Sequence, residues 1–330
     1  MRAAPVIRGR LAPSPTGHMH LGNAWAFLLA WLAARASSGE VLLRIEDIDP
    51  QRSRPEYTAA LLEDLTWLGL DWDYGPDKAE PADGQGLGPF EQSRRGQHYA
   101  AALARLESAS LTYPCFCTRK ELRSMAGAPH VDDAGAPYPG TCRNLNPSQQ
   151  EALLASGRRP CLRLRCPTGG ITFTDAVYGP QSFTLADCGG DFALRRSDGV
   201  VAYQLAVAVD DALMGINQVV RGRDILISTP RQIALLSLMG YGAPAYAHVP
   251  LLLDDEGERL AKRHQSLSLR NLRQMGADPR RITGMLGVLA GCNPGGNAAS
   301  PAELLPYFSF SHLAGGDIRL ERDMLRALVA

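Results

Sequence analysis

The sequence predicts an α/β protein in which a parallel-sheet domain is split by an insert and followed by a short helical C-terminal region. Three observations carry this. Residues 6–8, 24–36 and 41–45 read as strand, helix and strand, the second strand being a mostly apolar run of the kind buried on both faces of a parallel sheet. Residues 158–185 change to short alternating runs between Gly and Pro turns, the pattern of antiparallel strands. An apolar run at 203–211, expected as a further parallel-type strand, and a helical pattern at 230–239 then restore the first character. The expected organisation is therefore 1–110 and 196–250 as the two halves of one domain, 111–195 as the insert, and 251–330 as a cation-rich loop with a short helical tail.

Composition limits the functional classes. The chain has 330 residues, 45% of them hydrophobic, enough for a large core. Thirty-four basic residues balance 34 acidic ones, so any contact with nucleic acid must come from local patches. The apolar run at 24–34 is about half of the ~20 residues that a membrane helix needs, and no signal peptide precedes it, so the expectation is a cytoplasmic protein with no membrane partner. Seven cysteines, an odd number with three close together, argue for metal binding or buried thiols in a reducing compartment.

Within the first half, 10–23 is a proline-punctuated loop that leads into the helix at 24–36, whose first N–H groups form an anion site beside His18 and His20. Glu46, Asp47 and Asp49 stand at the carboxyl end of the second strand, where ligands of open parallel sheets bind. A helix at 55–69 carries Tyr57, Leu61, Leu65 and Leu68 on one stripe, and another at 93–106 carries Tyr99, Leu103 and Leu106. Residues 75–89 between them form a surface loop.

Cys115, Cys117 and Cys142 suit Zn²⁺, which needs four donors at tetrahedral angles; His130, Tyr138 and Asp133 are candidate fourth ligands. Arg163 and Arg165 share one strand face, either solvated or available to phosphate, and Cys161, Cys166 and Cys188 are expected as small buried residues. Tyr203, Asp210, Asp211, Arg221 and Asp224 fall near strand ends and can face the same crevice as Arg10 and Glu46. A turn at 254–257 then delivers the cations Arg259, Lys262 and Arg263, which suit phosphate. Arg280 and Arg281, a Gly/Asn/Pro linker at 291–300 and a short apolar terminus complete the chain.

Together these stretches resemble one family. Ala12-Pro-Ser-Pro-Thr-Gly17 with His20-Leu-Gly-Asn23 is similar to the glutamyl form of the HIGH signature of class I aminoacyl-tRNA synthetases. Arg44-Ile-Glu-Asp-Ile-Asp49, Val219-Val-Arg-Gly-Arg-Asp224 and Arg259-Leu-Ala-Lys-Arg263, at the KMSKS position, follow in the family's order. The resemblance implies a Rossmann-type catalytic domain and ATP, with Mg²⁺, as substrate. It implies that His20 and Lys262 are catalytic and that His20, Gly22, Asn23 and Lys262 hold ATP. It assigns Arg10, Leu11, Ala12, Pro13, Ser14, Glu46, Tyr203 and Arg221 to L-glutamate, Arg10 taking the side-chain carboxylate and Glu46 the ammonium group.

Only residues 264–330 follow the KMSKS position, too few for the helical anticodon-binding region of an ordinary glutamyl enzyme. The shortened form resembles the glutamyl-queuosine tRNA(Asp) synthetase branch. Members of that branch activate glutamate without tRNA, transfer it to queuosine at the wobble position of tRNA(Asp), and bind zinc through three cysteines and a tyrosine. The matching residues are Cys115, Cys117, Tyr138 and Cys142, and a monomer is expected. Asn23 replaces the second histidine of HIGH, and Ala261 the serine before the KMSKS lysine. The alternatives are a truncated enzyme charging tRNA(Glu) and a non-catalytic zinc-dependent RNA-binding module.

Overall fold

A computed structural model describes residues 6–78, 86–118, 120–122, 138–258, 260, 268–313 and 315–329. The chain runs β1 (Arg8–Leu11), α1 (Leu21–Ala36), β2 (Glu40–Leu43), α2 (Pro55–Trp67), α3 (Gly96–Ser108), β3 (Thr112–Cys115), α4 (Pro147–Ala155) and β4 (Cys161–Leu164). It continues through β5 (Gly170–Asp175), β6 (Gly179–Thr184), β7 (Ala193–Arg195), α5 (Tyr203–Leu213), β8 (Gln218–Gly222), α6 (Thr229–Leu238) and β9 (Ala245–Val249). The tail adds β10 (Leu252–Leu253), α7 (Leu269–Gln274), α8 (Pro279–Leu289), α9 (Pro301–Leu304), β11 (Ile318–Arg319) and α10 (Arg322–Arg326).

The opening β1–α1–β2 unit is a parallel crossover, with Arg8 opposite Glu40 and Leu11 opposite Leu43. Asn217, just before β8, ties it to the second half: its side chain accepts the Arg8 N–H at 2.8 Å and its own N–H donates to the Arg8 carbonyl at 3.1 Å. β8 and β9 are parallel, and β5 joins β9 in parallel at Asp175–Tyr246. The antiparallel β5–β6 hairpin, though it lies within 111–195, thus shares a sheet with β8 and β9. β3, β4 and β7 form a separate antiparallel sheet.

Helix α1 begins three residues earlier than the sequence pattern suggests, because His20 caps it. His20 Nδ1 accepts the Gly22 N–H at 3.1 Å, while Asn23 Oδ1 accepts the His20 N–H at 3.1 Å. Past the cap, Trp25, Leu28, Leu29 and Leu32 are buried against the sheet, each contributing about 1.5–3 kcal/mol. The tail closes the same core through Leu313, Leu320 and Leu328. Gly69 ends α2 with φ 77°, the left-handed conformation that terminates a helix without a Cβ penalty.

One expectation fails outright. Residues 203–211 form a helix, not a strand. The run Leu205–Val209 is apolar throughout and buried on every side, so it carries no period that separates a buried strand from a buried helix. The fold resolves the ambiguity, since adjacent residues of a strand point to opposite faces, whereas Asp210 and Asp211 both lie beside Arg44. No helix among the described residues is long and apolar enough to cross a membrane.

Candidate active site

A cleft of about 520 Å³ opens at the carboxyl ends of β1 and β8, beside the start of α1. Arg10, Ala12, Pro13, Ser14, His20, Gly22, Asn23, Glu46, Tyr203 and Arg221 all line it, from five separate parts of the sequence. Leu11 is the exception: it is fully buried and packs in the core below, so its side chain does not reach a ligand. Lys262, Arg259, Ala261 and Arg263 lie outside the described residues. His18, beside His20 in the same loop, also lines the cleft; its ring meets Tyr57 edge-on at 5.1 Å, and its Nε2 is 3.1 Å from Arg270 Nη1.

The cap that starts α1 also shapes the cleft. A Cβ at Gly22 would stand 3.0 Å from Cε1 and Nδ1 of His20, so glycine is what lets the imidazole fold back over the first turn. That ring then sits where the helix N-terminus favours negative charge.

Charge is organised by a buried chain. Glu46 Oε1 accepts from Arg44 Nη2 at 3.1 Å, Arg44 Nη1 donates to Asp211 Oδ1 at 2.7 Å, and Arg10 Nε lies 3.4 Å from the same oxygen. Arg10 also donates to the Val220 carbonyl at 3.3 Å, joining β1 to β8 across the cleft floor. Burial raises the Glu46 carboxyl above its ordinary range, opposed by Arg44 and Arg10. Burial also opposes the charge on Asp211, yet Arg44 and Arg10 hold its carboxyl below the ordinary range.

Arg221 presents a second guanidinium to the cleft. Its Nε donates to His248 Nε2 at 3.2 Å, Nη1 to Gln232 Oε1 at 2.8 Å and Nη2 to Thr229 Oγ1 at 2.7 Å. Behind it, His248 Nδ1 is 2.7 Å from Asp175 Oδ2. None of His248, Asp175, Thr229 and Gln232 was singled out from the sequence; each is an ordinary core position until the fold stacks them behind Arg221.

Burial pushes the His248 imidazole down to about 4, with Asp175 opposing and Arg221 and Arg10 reinforcing the shift. In the unfolded chain it titrates near 6.5. Between these values the unfolded state binds more protons, so acid favours unfolding. The contribution of His248 leaves stability intact above pH 6.5 and erodes it as the pH falls toward 4. Urea denaturation of wild type and His248→Gln from pH 7 to 4.5 checks this: the wild-type slope of stability against pH should exceed that of the variant, and equal slopes refute it.

A second cluster lies apart from the cleft. The Sγ atoms of Cys115, Cys117 and Cys142 all lie within 4.8 Å of one another, the Cys117–Cys142 pair at 3.7 Å. Sulfurs bound to one tetrahedral zinc stand about 3.8 Å apart, so the donor set fits that ion. Tyr138 Oη is 3.4 Å from Cys115 Sγ and accepts the Cys142 N–H at 2.7 Å. His130 and Asp133 lie outside the described residues. Cys161, read from sequence as a small buried residue, is partly buried and sits opposite Cys115 in the β3–β4 ladder. A hydrogen bond from Cys161, with Tyr138 and Arg163 adding to it, holds Cys115 well below the ordinary thiol range despite burial. Arg163 is correspondingly not a solvated or phosphate-facing residue: it is buried with its guanidinium 3.9 Å from the Tyr138 ring centre, and Arg165 covers Tyr113 at 4.8 Å.

The sheet, the capped helix start and the charged cleft define the catalytic domain of a class I aminoacyl-tRNA synthetase. Residues 6–300 match the family described as tRNA synthetases class I (E and Q), catalytic domain, and the chain belongs to that family. It is 57% identical over 323 residues to a protein of Nitratidesulfovibrio vulgaris named glutamyl-Q tRNA(Asp) synthetase, with 98% of each chain covered. It is 46% identical over 271 residues to glutamate–tRNA ligase 2 of Acidithiobacillus ferrooxidans, covering 82% of this chain and 55% of that one. The crystal structure of a glutamate-tRNA synthetase from Elizabethkingia anophelis superposes with a TM-score of 0.83 at 26% identity, covering 98% of this chain and 70% of the other.

Proposed function

We propose that this chain activates L-glutamate with ATP in the absence of tRNA and transfers the glutamyl group to queuosine at the wobble position of tRNA(Asp). The observation that carries this reading is the 57% identity across 98% of both chains to a protein of that name. The cleft agrees with it. Glutamate brings two carboxylates and one ammonium group, and the cleft offers the guanidinium groups of Arg10 and Arg221 with the carboxylate of Glu46.

In the first step a glutamate α-carboxylate oxygen bonds to the α-phosphorus of ATP while the bond to the bridging oxygen of pyrophosphate breaks. Arg10 takes the side-chain carboxylate, and Glu46 takes the ammonium group. Tyr203 and Arg221, with the 12–14 backbone, complete the pocket. His20 and the first turn at Gly22 and Asn23 receive ATP, and Lys262 with bound Mg²⁺ offsets the charge that develops on the leaving pyrophosphate. In the second step a hydroxyl of the queuosine ring attacks the acyl carbon and AMP departs.

Residues 111–195 interrupt the two halves of the domain, their 170–184 hairpin joining its sheet, and their zinc ligands are Cys115, Cys117, Tyr138 and Cys142. Zinc bound there would supply folding energy to the small cluster of Tyr113, Cys115, Phe116, Tyr138 and Cys142. Metal analysis of purified protein is expected to give about one zinc in wild type and a large loss in Cys142→Ser. Tyr138→Phe should weaken retention; unchanged zinc in both variants sinks this ligand set. The protein acts as a cytoplasmic monomer in this reading.

Purified protein with glutamate, ATP and Mg²⁺ should exchange pyrophosphate without tRNA and should charge queuosine-containing tRNA(Asp) but not unmodified tRNA(Asp). Charging of tRNA(Glu) instead overturns the acceptor, and no glutamate-dependent exchange overturns the reading.

A further inference from the structure

Behind Arg221 stands a set of polar side chains that a ligand in the cleft cannot touch. Arg221, Thr229, Gln232, His248 and Asp175 are each at most 5% exposed. Burying such groups is costly unless each is paired, and replacing buried ionic sets by apolar residues is often neutral or stabilising. Packing alone is therefore a poor reason for their presence.

Their hydrogen bonds run in one consistent direction. Asp175 is held as an acceptor by the N–H groups of Val177 and Tyr178, each at 3.0 Å, and of His248, at 3.0 Å to Oδ2. With an ionised carboxylate at 2.7 Å, His248 Nδ1 must carry the ring proton, which leaves Nε2 as a bare acceptor. Arg221 Nε donates into that lone pair at 3.2 Å. Thr229 Oγ1 accepts from Arg221 Nη2 and lies 3.0 Å from His248 Nε2, where its hydroxyl shares the one lone pair with Arg221 Nε. Gln232 presents its carbonyl oxygen to Nη1. Three of the five guanidinium N–H bonds are thereby committed inward, and two remain for a ligand. Tyr246 closes the remaining side, its ring 5.5 Å from the guanidinium carbon and stacked on His248 at 6.1 Å.

We propose that His248, in the tautomer dictated by Asp175, is a positioning residue that fixes the Arg221 guanidinium for a substrate carboxylate, with Thr229 and Gln232 completing the bracket. The inference rests on reading the cleft as the glutamate site. His248 touches no substrate. It acts by presenting an acceptor where the opposite tautomer would set N–H against N–H and turn the guanidinium away.

Glutamate-dependent pyrophosphate exchange tests it, with glutamate and ATP varied separately. His248→Ala is expected to raise the glutamate KM about tenfold and leave the ATP KM within about twofold. His248→Gln, which can restore an acceptor oxygen toward Arg221, should recover most of that loss. The Arg221→Ala/His248→Ala double variant should be no worse than Arg221→Ala, because the histidine acts through the arginine. Thr229→Val changes the hydroxyl for a methyl of similar size and should move the glutamate KM in the same direction, so it carries the test if His248→Ala fails to fold. Additive effects in the double variant, equal shifts in both KM values, or an unchanged glutamate KM in the folded single variants overturn the inference while wild-type exchange upholds the reading of the cleft. Wild-type protein without glutamate-dependent exchange overturns both.

Discussion

Asp210→Ala is expected to destabilise the fold by about 3–5 kcal/mol, the cost of stranding buried charge whose partner has gone. Asp210 is fully buried on α5. Its Oδ1 accepts from Arg95 Nε at 2.6 Å, and its Oδ2 accepts from Gln92 Nε2 at 2.8 Å and the Tyr99 hydroxyl at 2.9 Å. Arg44 Nε lies 3.9 Å from Oδ2. Removing this carboxylate leaves Arg95, which is 1% exposed, with only carbonyl partners, Leu87 and Pro89. It also removes one of the three carboxylates around Arg44. Urea unfolding followed by circular dichroism measures the loss; less than about 1 kcal/mol refutes the hub. Asp210→Asn keeps the shape and one acceptor, and should fall between the two.

Arg221→Ala should lower kcat/KM for glutamate by about 10²- to 10³-fold, since truncating one partner of a buried charged pair costs roughly 2–5 kcal/mol. The ATP KM should stay near its wild-type value, because Arg221 lies on the β8 wall and His20 and the start of α1 lie on another. Varying each substrate in the exchange assay separates the two. A loss of less than fivefold removes Arg221 from the glutamate site. Arg221→Lys is expected to recover little: one ammonium cannot replace a planar fork whose three inward bonds are already used.

Much of the site was legible because local patterns encode it. The Pro-rich loop before an apolar helix, the acidic residues after a buried strand and the arginine within 218–222 are short-range signals, and the cleft collects Arg10, His20, Glu46 and Arg221. The capping role of His20 was not legible, since it depends on a ring folding over Gly22. Nor was the helix at 203–213, where the apolar run satisfies strand and helix equally and only its packing between α3 and α6 selects one. Arg163 was misplaced for a related reason: strand alternation gives a face but not what covers it, and Tyr138 approaches from outside the strand.

The sequence by itself determined the order of motifs, the residue types that line the cleft, and three thiols whose spacing suits zinc. Those depend on side-chain identity and local spacing. Tertiary structure alone decided which buried groups hold those residues in place. Asp175, Thr229, Gln232 and His248 are spread over 74 positions (175 to 248) and meet behind Arg221 only because β5, β9, β8 and α6 pack side by side. A hydrogen-bond direction is a property of that assembly, and no single stretch of the chain encodes it.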